Sequence, residues 1–264
     1  MKYHLSCTIV QNTSIVPQHY ELIVTAPDIA RLAKPGNFVQ IKVDYSLNPL
    51  LPRPMGISYI DKKKGLIGVI YKIFGKGTTA LSHKKPGENV ILTGPLGNSF
   101  CLDEKISTVA FVAGGTGVGP ILLLADNWSK EYPNLTIFVF LGARTKKLFI
   151  GLDRLEKKCS KVYSATDDGS FGHHGFITDI LEKSCTENGI QHIFAVGPIY
   201  MMKKAFDIGK NLGLTVDVSL EERMACGFGV CLGCACKMKD GKYHMICIDG
   251  PIVNAYNVTW EAFE

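Results

Sequence analysis

Cys226, Cys231, Cys234 and Cys247 stand in the spacing C-x4-C-x2-C-x12-C near the end of a chain of 264 residues. Thiolates ligate iron and zinc, and a C-x4-C-x2-C run with a distant fourth cysteine is the ligand order of a [2Fe-2S] cluster. Gly227, Gly229 and Gly233 fall between the ligands. Lacking Cβ atoms, they let a loop close around a compact anion with its N–H groups turned toward sulfur. Asp240-Gly241 reads as a two-residue hairpin turn between residues 235–239 and 242–246. With Lys239 facing Lys242, counting outward sets Cys234 opposite Cys247. Opposed residues lie about 4.5 to 5.5 Å apart at Cα, close enough for both thiolates to serve one cluster. Cys236 shares a strand face with Cys234, which makes it a neighbour of the cluster and a rival ligand.

Two other chemistries use cysteines. A structural zinc site favours paired C-x2-C units, and one such pair is clear here. A disulfide framework fits less well, because the cysteines number nine, no secretory signal is read at the start, and a chain of this length builds a core without staples.

The elements that must position these residues fall into two patterns. Through the first hundred residues, short β-rich runs at 20–25, 38–43, 55–60, 66–74 and 89–92 are separated by turn residues, the signature of an antiparallel barrel. From residue 108 onward, apolar strands at 109–113, 136–141, 162–165 and 193–196 alternate with helical stretches at 121–132, 152–158, 177–183 and 201–212. That alternation predicts a parallel α/β sheet. The expected organisation is a β-barrel over residues 1–100, an α/β domain over 101–220 and a small cysteine-bearing hairpin module over 221–264.

A hydrophobic fraction of 46% supports true cores. The longest apolar stretch, residues 109–125, is broken by glycines and Pro120, so no membrane span is expected and the chain reads as a cytoplasmic protein. The formal charge of +5 is offset by an anionic cluster and a dinucleotide, and the basic residues are scattered apart from short runs such as Lys62, Lys63 and Lys64, so nucleic acid is not an expected partner.

Two nucleotide signals precede the cysteines. Gly114-Gly115-Thr116-Gly117-Val118-Gly119-Pro120 follows the first parallel strand and leads into a helix. N–H groups and the helix dipole at such a turn attract phosphate, and Pro120 suits the first helical position. Arg144 and the pair Gly197-Pro198 follow later strands, at the carboxyl ends where α/β sheets bind ligands. In the barrel half, Arg53-Pro54-Met55-Gly56 leads into a strand, and Ile70-Tyr71-Lys72 precedes Gly75-Lys76-Gly77-Thr78. An arginine can pair with a pyrophosphate, and a Gly-Thr turn can offer it N–H donors.

A barrel carrying R-P-x-x and G-x-G-T, a sheet domain carrying G-G-T-G-x-G-P and a late G-P, and then a cysteine cluster together resemble the ferredoxin reductase-like flavoproteins. The run from Glu221 to Cys234, E-E-R-M-A-C-G-F-G-V-C-L-G-C, looks like the electron-transfer subunits of type B dihydroorotate dehydrogenases. Gly94-Pro95-Leu96-Gly97-Asn98 and Cys247-Ile248-Asp249-Gly250-Pro251 extend the likeness. The resemblance implies FAD on the barrel at Arg53, Pro54, Met55, Gly56, Ile70, Tyr71, Lys72, Gly77 and Thr78. It implies NAD at the sheet domain near Gly115, Thr116, Gly117, Gly197 and Pro198, and Cys226, Cys231, Cys234 and Cys247 as cluster ligands. Gly56 stands where the family commonly has serine, which removes a hydroxyl near the flavin and leaves a backbone N–H as the substitute. Val196 stands where a cysteine often precedes the G-P pair.

A [2Fe-2S] cluster passes single electrons whereas NAD takes a hydride, so a flavin must stand between them. The resemblance then implies electrons arriving from FMN in a dihydroorotate-oxidising partner, in a heterotetramer of two chains of each kind serving pyrimidine biosynthesis. No residue here acts as a catalytic acid or base in that scheme. The hairpin over 235–246 is expected near the partner, with Phe228, Val230 and Leu232 as apolar contacts or as shields for the cluster. Two alternatives remain at this point. One is the small FAD and [2Fe-2S] subunit of another NAD(P)-linked complex, such as a bifurcating transhydrogenase, a sulfide dehydrogenase or a hydrogenase. The other is a zinc-stabilised or redox-sensing module.

Overall fold

Six antiparallel strands, β1 (Tyr3–Val16), β2 (His19–Thr25), β3 (Phe38–Lys42), β4 (Arg53–Asp61), β5 (Leu66–Lys72) and β6 (Asn89–Leu96), close into a barrel in the order β1-β2-β5-β4-β3-β6. The computed structural model describes residues 1–45 and 47–263. Closure rests on β1, an element the run-and-turn pattern did not reveal. Its first half pairs with β6 from Tyr3↔Gly94 to Thr8↔Asn89, and its second half pairs with β2 from Ile9↔Val24 to Val16↔His19. One strand thus serves two neighbours, with a register shift between Ile9 and Gln11 where it passes from one to the other. Cys7, Ile9, Leu22, Val24, Val39, Ile41, Ile57, Ile67, Val69 and Leu92 are buried in this unit. Two short helices, α1 (Pro27–Leu32) and α2 (Lys76–Ser82), accompany the barrel.

The second unit is a sheet with β7 (Thr108–Gly114), β8 (Thr136–Ala143), β9 (Lys161–Thr166), β10 (His173–His174), β11 (His192–Val196) and β12 (Thr215–Ser219), ordered β10-β9-β8-β7-β11-β12 and parallel throughout. Its helices are α3 (Val118–Glu131), α4 (Leu152–Glu156), α5 (Leu181–Glu187) and α6 (Ile199–Asn211). The near-continuous apolar runs of β7, β8 and β11 are those of strands covered on both faces. Ile121, Leu122, Leu124, Ala125 and Trp128 of α3 are buried at helical spacing, and Trp128 meets Phe194 with ring centroids 5.1 Å apart. The chain leaves β7 toward β8, β9 and β10, then returns to lay β11 on the other side of β7, so the order reverses between β7 and β11. Such a switch point opens a ligand crevice at the carboxyl ends of its strands.

Residues 221–264 do not form a third body. Glu221–Cys236 and Tyr243–Pro251 belong to the barrel unit, whereas Lys237–Lys242 and Ile252–Glu264 belong to the sheet unit. They contain a two-stranded hairpin of β13 (Ala235–Lys237) and β14 (Tyr243–Met245), a single helical turn α7 (Ile246–Asp249), and β15 (Ile252–Asn254). β15 adds to β12 in antiparallel register, Val218↔Val253, as the seventh strand. The apolar content of this last stretch explains the division, since Val258 and Trp260 are buried and Trp260 stacks on Phe206 at 5.5 Å. No helix among the described residues is long and apolar enough to cross a membrane.

Candidate cofactor sites

The cysteine loop is held to the barrel by a buried amide. Gln40 of β3 is 1% exposed and donates from Nε2 to the Ala225 carbonyl at 3.2 Å. Gly227, with φ +78°, passes so close that a Cβ there would meet Gln40 Oε1 at 2.8 Å. Past this anchor the loop turns its N–H groups onto sulfur. Phe228 and Cys231 donate to Cys226 Sγ at 3.4 and 3.5 Å, Gly229 donates to Cys247 Sγ at 3.1 Å, and Gly233 donates to Cys231 Sγ at 3.5 Å. Burial works against ionisation of Cys226, but the Phe228 and Cys231 N–H groups prevail and bring its thiol down to about 6. Burial and the adjoining Cys234 push the Cys247 thiol up to about 12.

These residues fit an iron–sulfur cluster. Donors aimed at sulfur stabilise thiolate and sulfide alike. Among the described residues no three Cys, His, Asp or Glu groups converge on the position of one ion. A two-iron cluster asks for no such convergence, since four cysteines share two irons. The expected register of the hairpin needs correction. Met238 N–H donates to Lys242 O and Gly241 N–H to Met238 O, so the loop has three residues, with Gly241 at φ +80°. A three-residue loop ending in a left-handed glycine carries a bulge that shifts the strands by one. Cys234 consequently pairs with Ile246, whose N–H donates to Cys234 O at 3.1 Å, and Cys247 lies one residue on, in α7. Cys236 is buried on the hairpin, and burial together with the charge of Glu222 raises its thiol.

Two motifs noted separately in the sequence meet behind this loop. Asn98 N–H donates to Gly250 O at 2.6 Å, Asn98 Nδ2 donates to Asp249 O at 3.2 Å, and a Cβ on Gly97 would strike Pro251 Cδ at 2.5 Å. Asn37 holds the other side, donating to the Gly97 and Asn98 carbonyls at 3.1 and 2.9 Å.

On the barrel, Arg53 and Gly77 are brought together. The Arg53 guanidinium lies where a Cβ on Gly77 would stand, and it also donates to the Leu51 carbonyl. Glycine thereby lets a planar cation rest against the first turn of α2, whose N–H groups have no partner within the helix. A pyrophosphate fits this arrangement. Thr78 serves the turn itself, since its Oγ1 accepts from the N–H groups of Phe74 and Gly75 at 2.9 and 3.2 Å. Ile57 N–H donates to Asn37 O, and Ile57↔Val69 is the last pair on the β5 side. The neighbouring Gly56 N–H therefore points away from β3, toward the β5 side of the strand. Met55 is 9% exposed, Pro54 is exposed, and Lys72 is half-buried at the end of β5.

Tyr71 is a buried residue of β5. Its ring is 3% exposed and stacks on Tyr20 at 5.6 Å, and its hydroxyl donates to Asn12 Oδ1 at 2.9 Å. Asn12 Nδ2 in turn donates to the Leu81 and Lys84 carbonyls at 2.8 and 2.9 Å. Tyr71 therefore ties β5, through Asn12, to the carboxyl end of α2, and Ile70 before it is buried as well.

At the switch point of the sheet the backbones of β7 and β11 touch. A Cβ on Gly117 would overlap the Val196 carbonyl and come within 2.8 Å of Gly197 Cα, and one on Gly197, at φ +149°, would meet Gly114 O at 2.8 Å. Pro198 Cδ lies 3.1 Å from the same position on Gly114. Gly114 and Gly117 thus lie against Val196, Gly197 and Pro198, with Gly115 and Thr116 on the turn between the two glycines. Gly115–Gly117 form a 3-10 turn that runs into α3 at Val118, so Pro120 occupies the third helical position and not the first. It remains in the first turn, where a missing N–H costs nothing.

Composition and spacing did not single out the next residues. Asp167 and Asp168 follow β9, their N–H groups donating to the Ala143 and Arg144 carbonyls at 3.2 and 3.3 Å. Asp168 Oδ1 accepts from Ser170 N–H at 3.0 Å and Ser170 Oγ at 2.6 Å, and Ser170 Oγ accepts from Lys146 N–H at 2.8 Å. The Ser170 donors hold the Asp168 carboxyl below its usual range. The strand-end string D-D-G-S was the available signal. Beside it Lys146, Phe149, Leu152, Arg154 and Phe171 line a hollow of about 380 Å³ in which Phe149 and Phe171 meet edge to face at 5.5 Å.

Comparison with known proteins assigns this geometry to a family. The iron–sulfur cluster binding domain of dihydroorotate dehydrogenase B matches residues 221–259, and the oxidoreductase NAD-binding domain matches residues 111–207. The dihydroorotate dehydrogenase B (NAD(+)) electron transfer subunit of Desulforamulus reducens is 36% identical, covering 94% of this chain and 95% of that one. Its counterpart from Fusobacterium nucleatum is 34% identical over 97% of this chain and 98% of its own. Among solved structures, an NADH-dependent reduced ferredoxin-NADP oxidoreductase that performs flavin-based electron bifurcation superposes with a TM-score of 0.89 at 29% identity, covering 97% of this chain and 90% of that one. A Neisseria gonorrhoeae ferredoxin NADP+ reductase with bound FAD and NADP shares the fold, with a TM-score of 0.65 at 14% identity over 80% of this chain and 92% of that one. The chain therefore belongs to the family of dihydroorotate dehydrogenase B (NAD(+)) electron transfer subunits.

Proposed function

We propose that this chain carries electrons from FMN in a dihydroorotate-oxidising partner subunit to NAD+, holding a [2Fe-2S] cluster on Cys226, Cys231, Cys234 and Cys247 and FAD on the barrel. The cysteine loop carries this reading, because its N–H groups converge on cysteine sulfur in a chain 36% identical to such a subunit across 94% of its length. When bound, the cluster supplies one-electron transfer and FAD exchanges one or two electrons, which matches a one-electron donor to a hydride acceptor.

The residues of the chain bind and orient. Arg53 offers a bidentate cation to the FAD pyrophosphate across Gly77, and the Gly56 N–H takes the place of the serine hydroxyl toward the flavin. Gly115, Thr116, Gly117, Gly197 and Pro198 admit the nicotinamide dinucleotide by leaving backbone with no Cβ in its way. Asp168, ionised and fixed by Ser170, accepts from a ribose 2′-hydroxyl and repels a 2′-phosphate, which favours NAD over NADP. Phe228, Val230 and Leu232, 48%, 74% and 60% exposed, surround the cysteines and suit a docking face for the partner. The assembly is a heterotetramer of two chains of each kind. It operates in the cytoplasm, where free cysteines such as Cys7 and Cys185 persist as thiols.

The structural likeness to the bifurcating oxidoreductase favours a second reading, a small flavin and cluster subunit of another NAD(P)-linked complex. Anaerobic isolation with the dihydroorotate-oxidising partner decides between them. Dihydroorotate-dependent NAD+ reduction, with about two irons and one FAD per chain, is expected. Iron and FAD without that activity would move the chain to another partner, and a colourless zinc protein would overturn both readings.

A further inference from the structure

At 94% exposure, Phe74 is the most exposed large hydrophobic side chain among the described residues. Its backbone is not a loose loop tip. Ile73 N–H donates to Gln18 O at 2.8 Å, and the N–H groups of Phe74 and Gly75 both donate to Thr78 Oγ1, which donates in turn to Gly75 O at 3.2 Å. The Thr78 hydroxyl therefore fixes the residue that carries the ring, while no neighbour covers the ring itself. Three residues farther on is Gly77, with the Arg53 guanidinium against it. An aromatic ring is thus held open to solvent on the same Thr78-closed turn that carries Gly77, against which the Arg53 guanidinium rests.

FAD differs from FMN by an adenosine phosphate joined through a pyrophosphate, so the group that continues past a pyrophosphate held at Arg53 is adenosine. Adenine presents a flat π-face, and a fixed aromatic ring is its natural platform, with little side-chain freedom to lose. We propose that Phe74 stacks on the adenine of FAD and so makes this barrel select the dinucleotide over FMN. This rests on the reading of the barrel as the FAD site. It adds the residue that recognises the end of the cofactor remote from the chemistry. The ring covers one face of the base and leaves the other to solvent, so it contributes affinity without touching the isoalloxazine.

The test is a titration of the full-length chain, stripped of flavin without oxygen, with FAD and separately with FMN, followed by calorimetry and by flavin fluorescence. Phe74→Ala is expected to weaken FAD binding about tenfold, that is by about 1.4 kcal/mol, and to leave FMN binding unchanged. Phe74→Trp is expected to restore FAD affinity. Because the side chain is exposed, all three proteins should unfold at the same temperature. Equal FAD affinity in Phe74→Ala and the parent overturns the proposal, as does an equal loss for FAD and FMN, which would mean that the turn and not the base was disturbed. A parent chain that binds no FAD would instead overturn the assignment of the barrel as an FAD site.

Discussion

Gln40 is a polar side chain in the middle of an apolar strand, F-V-Q-I-K, and its amide holds the cysteine loop at Ala225. Replacing it with leucine keeps most of the volume but leaves the half-buried Ala225 carbonyl without its donor, which costs about 1 kcal/mol. Gln40→Leu is expected to lower the denaturation midpoint by that amount and to speed iron loss to a chelator, both read on the anaerobically purified chain. Unchanged iron loss would mean that the cluster, not the barrel, orders the loop. Ser58 presents the converse case. It is 1% exposed, and its Oγ has no hydrogen-bond partner. A buried hydroxyl left unpaired is worse than a methyl group, so Ser58→Ala is expected to stabilise the flavin-free chain by about 1 kcal/mol. If stability falls in urea titration, the hydroxyl has a partner in solution.

Elements were legible in the sequence where their pattern was local. The strand, glycine loop and helix at 108–131 carry punctuation and periodicity in one stretch, and the barrel strands from β2 to β6 lie between turn residues. β1 was not legible, because its fourteen residues mix polar and apolar positions to suit two different partners. The hairpin register failed for a subtler reason. Asp240-Gly241 signals a turn, but whether the loop has two residues or three depends on how Met238 pairs, and one residue moves every partner. Among the candidate site residues, the cysteines and glycines stand out in the sequence because their types are specific to the chemistry proposed for them. The partners of Tyr71 were not legible, since a strand tyrosine gives no sign of which face it takes, and those of Asp168 appear only when β8 and β9 lie side by side. The joint between those strand ends yields a prediction. Asp168→Ser removes the fixed charge and is expected to raise the preference for NADPH relative to NADH about tenfold, an effect of about 1.4 kcal/mol. Ratios of kcat/KM for the two coenzymes with ferricyanide as acceptor measure it. An unchanged ratio would assign discrimination to Arg144 or its lysine neighbours.

For the molecule as a whole, the cysteine loop and the Arg53 turn belong to the same unit, so that part of the electron route lies on one scaffold. What the sequence alone could not supply is the donor. A one-electron carrier bordered by exposed Phe228, Val230 and Leu232 needs a surface to meet, and these side chains have two competing uses. If they dock a partner, a charge in their midst must weaken association. If they only keep water from the cluster, the same charge must shift the cluster and leave association intact. Phe228→Asp separates the two, because Phe228 is 48% exposed and its N–H, not its ring, serves Cys226. Association with the dihydroorotate-oxidising subunit is expected to weaken by tenfold or more, as for truncation of an aromatic anchor at an interface of about 1,600 Å². NADH oxidation by the isolated chain with ferricyanide should be unchanged, since that route needs only the FAD and NAD sites. Full association together with an altered cluster spectrum would assign the apolar rim to shielding and send the search for the docking face elsewhere on the chain.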